Sequence, residues 1–196
     1  MGDLGAWAMP AMQLLGWVGL ALSWLAWAYP FIFRAPHNQK RPSITAIGPT
    51  RVGLLLETGA ICMAFTFRLP PDSPPGPARV LPALILGPLA AVLAWKSVMH
   101  LGKQFRVHAG LYVDHELVRT GPYAMVRHPI YTSLLAMLLC SLLVLTPWPV
   151  AALALALFLL GTEIRVHTED KLLESRFGEE FRRYQKSVRA YVPLVR

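Results

Sequence analysis

Two stretches of the chain hold most of the residues able to do chemistry. The first is HELVRTGPYAMVRHPIY, residues 115–131. Gly121–Pro122 is a turn signal, and Pro129 suits the first turn of a helix, where its missing N–H costs nothing. Arg127 and His128 then stand at the start of that helix, where free backbone N–H groups attract a carboxylate or phosphate. Arg, His and Tyr in this position serve equally well as lipid-headgroup anchors, and residue types alone leave both readings open. The second stretch is EIRVHTEDKLLESRFGEEFRRY, residues 163–184. Arg165 and Glu169 are four apart and share a helix face, with Asp170 adjacent. As an isolated surface pair they would contribute about 0.3–0.5 kcal/mol. Their place favours more than that, because they follow directly on a long uncharged run, where ionisable groups are usually functional. His100, His108, His115, His128 and His167 lack the spacing of a zinc site, two histidines at i and i+4 beside a glutamate, so no catalytic metal is expected. There is no phosphate-cradling glycine loop, dinucleotide fingerprint or serine-nucleophile elbow.

The elements that position these residues are set by composition. Of 196 residues, 55% are hydrophobic and 15% charged, with a mean hydropathy of +0.44. Soluble domains carry roughly 25% charged residues, and disordered chains are poorer in apolar residues still. The chain therefore reads as an all-α integral membrane protein. Its net charge of +8 suits an anionic membrane surface rather than nucleic acid. Cys62 and Cys140 both lie in apolar runs, so neither a disulfide framework nor a cysteine zinc site is expected.

Five membrane spans are predicted. Residues 4–33 are uncharged and longer than the roughly 20 needed to cross a bilayer. A second span runs from near Ile44 to Phe67, with Glu57 inside it and Arg51 snorkelling to the interface. The Pro-rich segment 68–79 cannot be helical. Residues 80–99 form the third span, ending near Lys96. Residues 129–162 are again uncharged and form a helical hairpin with its tip at Pro147–Pro149. Glu57 and Lys96 are the oddities inside apolar runs; snorkelling, mutual pairing and lining a cavity all remain open. All of the 19 basic residues except Arg68 and Arg79 fall on one face of this arrangement. The positive-inside bias then puts the N-terminus outside and the C-terminus in the cytoplasm. After the hairpin, Leu173, Phe177, Phe181, Tyr184 and Val188 make an apolar stripe at helical spacing, interrupted by Gly178 and ended by Pro193. Such an amphipathic helix lies on the membrane or covers the cytoplasmic ends of the spans. No internal repeat or separate soluble domain is evident, so residues 1–196 read as one membrane domain.

Taken together, LVRTGPYAMVRHPIY (117–131), RVHTEDKLLESRFGEEFRRYQKSV (165–188) and the closing Pro193 resemble the isoprenylcysteine carboxyl methyltransferase family. The wider group includes phospholipid N-methyltransferases. HLGKQFRV (100–107) also fits, and the resemblance covers roughly residues 96–194; residues 1–95 are alike only in being transmembrane. It implies an integral membrane enzyme that uses S-adenosylmethionine in a cytoplasmic pocket. Carried over residue by residue, it implies that His115, Leu117, Val118, Gly121, Tyr123, His128, Pro129 and Tyr131 hold the cofactor. Glu169 and Asp170 stand at the family's paired acids and Arg165 at its arginine. Asp170 replaces the usual second glutamate, and Ser133 stands where a glycine is common.

The implied chemistry suits the residue types. His128 and the helix start would receive the cofactor's carboxylate, while acids and aromatic faces would stabilise its sulfonium. An apolar substrate would enter from the bilayer, and alignment with water exclusion would supply much of the rate. For a carboxylate acceptor, Arg165 would orient it through a two-pronged contact and Glu169 would hold Arg165. For an amine or thiol, Glu169 would be the base. A lipophilic small molecule or lipid-modified thioether acid is the expected substrate. A phospholipid or small-amine methyltransferase, a sterol-type NADPH reductase, and a non-enzymatic transporter or scaffold are the alternatives. The polar residues cluster at one face rather than at the bilayer midplane, where transporter sites lie.

Overall fold

The computed structural model describes residues 11–34, 44–45, 47–105, 110–111 and 116–191. Among the described residues six α-helices carry the fold: α1 (Ala11–Phe33), α2 (Ile47–Thr66), α3 (Pro77–Leu101), α4 (Pro129–Leu145), α5 (Trp148–Phe177) and α6 (Glu179–Ser187). Short 3-10 turns occupy Gly102–Gln104 and Gly121–Ala124. The departures from an all-helical fold among the described residues are a two-residue antiparallel ladder, Ile44–Thr45 against Gly110–Leu111, and an isolated parallel bridge between Val126 and Arg189.

α1, α3 and α5 are each long and apolar enough to cross a membrane. α4 is apolar over 17 residues, whereas the 20 residues of α2 include Arg51 and Glu57. Large apolar side chains face outward along the bundle: Leu22 and Leu25 on α1, Leu81, Ile85 and Leu89 on α3, Leu153 and Leu160 on α5. Water would not tolerate so continuous an apolar surface, and lipid does. The chain is an integral membrane protein.

The sequence explains where each helix turns. Thr146 and Pro147 separate α4 from α5, so the hairpin tip falls where the TPWP signal put it. Arg79 fastens that tip: its NH2 donates to the carbonyls of Leu142, at 2.9 Å, and Thr146, while its guanidinium lies 4.4 Å from the Trp148 ring centroid. The two arms of the hairpin nevertheless pack mainly on other helices, α5 along α2 and α4 along α3. The α2–α5 approach depends on glycine. A Cβ at Gly161 would lie 2.6 Å from the Gly53 carbonyl oxygen, and one at Gly53 would lie 2.6 Å from the Gly161 carbonyl oxygen. Behind this crossing, Ala60, Ala64, Leu138, Leu142, Ala154 and Phe158 form one buried cluster of α2, α4 and α5. Leu20, Ala83, Cys140 and Val144 form a second, joining α1, α3 and α4. Two tryptophans of α1 also bond into α4, Trp24 Nε1 to Ser141 Oγ at 3.1 Å and Trp27 Nε1 to Ser133 Oγ at 3.0 Å.

α5 is a single helix of 30 residues, about 45 Å at 1.5 Å per residue, so its last turns extend beyond a hydrocarbon core of about 30 Å. It stops at Gly178, whose φ of +52° is left-handed backbone. The apolar stripe read from the sequence is thereby divided. Leu173 and Phe177 end α5, while α6 buries Phe181 and Tyr184. α6 therefore covers the end of the bundle with its apolar face; Pro193 lies outside the described residues.

Candidate active site

The site gathers at the end of the bundle where α4 begins and α5 emerges. Three features place the segment before α4. Gly121 has φ +59°, and a Cβ there would run into the His100 ring of α3, so glycine is required by both backbone and neighbour. Tyr123 is buried, and its carbonyl accepts the Tyr184 hydroxyl of α6 at 2.5 Å. The chain beyond α6 then returns alongside: Val126 and Arg189 form a parallel bridge, Arg127 N donates to Arg189 O at 2.8 Å, and His128 N donates to Ala190 O at 2.7 Å. Thr132 Oγ1 donates to Tyr191 O at 2.6 Å, and the Tyr191 hydroxyl to Glu163 at 2.7 Å.

His128 is buried at the centre. Its Nε2 is 2.9 Å from Asp170 Oδ1 and its Nδ1 is 3.3 Å from Glu169 Oε2. Burial alone would lower its pKa, but hydrogen bonds and charge from Asp170 and Glu169 outweigh that and raise it to about 9. The ring is therefore an imidazolium at neutral pH, clamped between two carboxylates. Asp170 also accepts from Arg127 NH2 at 2.9 Å and Gln185 Nε2 at 3.2 Å. Arg127 in turn donates to Val188 O at 2.5 Å. Glu169 accepts the Tyr131 hydroxyl, and the Arg165 guanidinium lies 4.7 Å from the Tyr131 ring centroid. Arg165 NH1 donates to Glu57 Oε2 at 2.6 Å, and the Thr162 hydroxyl donates to Glu57 Oε1 at 2.9 Å.

Of the residues singled out in the sequence, Tyr123, His128, Pro129, Tyr131, Arg165, Glu169 and Asp170 come together in this network or support it. Leu117 and Val118 are half-buried before the Gly121 turn. His115 lies outside the described residues. Arg165 forms an ion pair with Glu57 of α2, a partner the sequence does not point to, and both Arg165 and Glu169 lie against Tyr131. His128, expected to offer a nitrogen to an incoming carboxylate, has both nitrogens engaged by acids of α5, because two adjacent carboxylates are the stronger local partners. Glu57 settles against neither Lys96 nor lipid: it is 1% exposed, and Lys96 faces outward. Thr162, Gln185 and the backbone of 188–190 were not anticipated. An acid inside an apolar run is a signal for Glu57; nothing local marks the others. A separate cavity of about 320 Å³, lined by Gln13, Trp17, Arg68 and Pro75, lies at the opposite end of the bundle and takes no part.

Residues 83–175 match the isoprenylcysteine carboxyl methyltransferase family. Over that segment the chain is similar to this family. A curated relative, the protein-S-isoprenylcysteine O-methyltransferase of Tribolium castaneum, is 29% identical over 110 residues, which are 55% of this chain. They cover 39% of the relative, so the matched stretch spans about two fifths of its length. The family segment starts inside α3, earlier than the motifs alone suggested, and stops just short of the end of α5. It contains Gly121, His128, Tyr131, Arg165, Glu169 and Asp170. Glu57, Tyr184, Gln185 and the returning segment 188–190 lie outside it.

Proposed function

We propose that the protein is an S-adenosylmethionine-dependent methyltransferase whose acceptor is lipophilic and carries a prenylcysteine-like carboxylate. The observation that carries this reading is that the buried His128–Glu169–Asp170 cluster falls within the family segment and keeps one reachable acid. Glu169 retains 24% side-chain exposure, against 12% for Asp170 and 6% for His128. That acid stands beside the Tyr131 ring and the Arg165 guanidinium.

The donor set fits the cofactor. When bound, S-adenosylmethionine supplies an electrophilic methyl group on a positively charged sulfur. Glu169 and the Tyr131 ring offer a carboxylate and a π face to a cation, and they are already held in place. Arg127 Nε is buried with no hydrogen-bond partner among the described residues, leaving a donor for an anionic group. His128 serves this site by fixing Glu169 and Asp170 rather than by gripping the cofactor directly. Leu117, Val118, Gly121, Tyr123 and Pro129, with His115, complete the proposed cofactor-binding set.

Arg165 orients the acceptor. A carboxylate is already a nucleophile, so Arg165 has only to aim one oxygen at the methyl carbon, in line with the breaking C–S bond. The bound cofactor would supply the methyl group and keep the electron pair of its C–S bond, so the acceptor would leave as a neutral methyl ester. No proton moves, so Glu169 acts as an electrostatic partner and not as a base. Burial strengthens these contacts, because the site lies where water is scarce.

The proposed topology has five spans. α1 to α5 run alternately, which gathers Arg34, Arg51, Lys96, Arg127 and Arg165 at the site end and leaves Arg68 and Arg79 at the other. That asymmetry points the site end to the cytoplasm, where the charged cofactor is found. The test is transfer of labelled methyl to a prenylated thioether acid by purified protein. Arg165→Lys keeps the charge but loses the planar fork; turnover is expected to fall at least about tenfold, with S-adenosylhomocysteine affinity nearly intact. A thermal shift with NADPH and none with S-adenosylhomocysteine would instead support a reductase.

A further inference from the structure

We infer that Glu57 of α2, outside the family segment, is a positioning residue for methyl transfer, acting by holding Arg165 in its working orientation. The inference rests on the reading of Arg165 as the residue that orients the acceptor.

The geometry is that of a holder. Glu57 is buried and grips NH1 of Arg165 at 2.6 Å. Its other oxygen is fixed by Thr162 at 2.9 Å, one helical turn before Arg165 on the same helix. The aliphatic stem of Arg165 lies against α2 at Gly53, where a Cβ would come within 2.5 Å of Arg165 Cγ. The guanidinium also packs on the Tyr131 ring. Arg165 is thus held at its stem by α2, at one edge by Glu57 and on one face by Tyr131.

Stability alone does not account for this arrangement. An acid within an apolar span is costly, and a buried ion pair is often no more stabilising than well-packed apolar residues of the same volume. Bundle packing needs only the close glycine crossing, which Gly53 and Gly161 provide without a charge. What the Glu57–Arg165 pair adds is a fixed direction for a side chain with four rotatable bonds. An arginine that must present a planar fork to a carboxylate gains most from such fixing.

The experiment compares Glu57→Gln, Arg165→Lys and the double variant in the full-length protein, with a prenylated thioether acid as acceptor. Glu57→Gln is expected to lower kcat by about tenfold, while S-adenosylhomocysteine affinity, measured by calorimetry, stays within about twofold of the parent. Because Glu57 acts through Arg165, the losses should not multiply: the double variant should be about as slow as the slower single one. Parental kcat in Glu57→Gln, or losses that multiply, would overturn the inference. Parental kcat in Arg165→Lys would instead overturn the underlying reading of Arg165. If Glu57→Gln fails to bind S-adenosylhomocysteine, Thr162→Val repeats the test without changing any charge. Its expected loss is about two- to tenfold in kcat, as for one hydrogen bond, and unchanged turnover there counts against Glu57.

Discussion

His128 stands between two acids, Asp170 and Glu169, and its charge has a measurable signature. Its pKa is raised from 6.5 to about 9 by Asp170 and Glu169 acting against burial. The stabilisation this represents is fully present below pH 6.5, fades as the pH rises, and is gone once the pH has passed about 9. At 1.36 kcal/mol per pH unit it is on the order of 3 kcal/mol. The melting temperature of the detergent-solubilised protein should therefore fall across that window, and His128→Asn should melt lower and without the slope. A parent whose melting is flat across the window would show that the ring is neutral. At this scale the sequence disclosed which residues matter and not which ones they meet. The four-residue spacing correctly put Arg165 and Glu169 on one face. The partner of Arg165 lies 108 residues away in sequence and that of His128 lies 42 away. Such pairings are decided by how helices cross, which no local pattern encodes.

Helices were legible to the extent that their ends carry chemistry. Pro129 opens α4, Gly178 closes α5, and the TPWP segment marks the hairpin tip; all three depend on backbone restrictions visible residue by residue. Which helix packs on which was not legible, because lipid-facing and helix-facing apolar residues look alike in a membrane sequence. Only the small residues distinguish them after the fact, and the Gly53–Gly161 approach is the clearest case. Gly161→Ala would place a methyl group against a backbone carbonyl that cannot swing aside. The expected cost is about 1–3 kcal/mol, read as a lower melting temperature, with loss of turnover as Glu57 is drawn away from Arg165. Gly59→Ala, on α2, meets nothing within 4 Å and should be neutral or slightly stabilising. Equal behaviour of the two variants would show that α2 and α5 do not approach as described.

The molecule as a whole is polarised, with its ionisable network at one end and its Pro-rich connection at the other. Ser73 lies in the exposed connection beyond α2 and Ser187 in the exposed last turn of α6. Cysteines introduced at these positions, in a background with the exposed Cys62 replaced, should react with an impermeant reagent from opposite sides of sealed vesicles, Ser187→Cys from the cytoplasmic side. Reaction of both from one side would remove a span from the proposed five. The sign proposed for this polarity rests on the basic residues alone. The network itself was not legible there, because α2, α4, α5, α6 and the segment 188–190 each contribute to it.

The unbroken α5 carries a further consequence. Arg165 stands about 26 Å along the helix from Trp148 and Asp170 about 33 Å, at 1.5 Å per residue. The network therefore straddles the edge of a typical hydrocarbon core, and the distance is fixed by a rigid rod. In a thicker bilayer the reactive end sinks toward the acyl chains, or the helix must tilt or the lipid thin to follow it. The proposed acceptor, a prenylated acid anchored at a given depth, would then present its carboxylate too high or too low. Turnover in vesicles of graded acyl-chain length should pass through a maximum, making membrane thickness itself a control on the reaction.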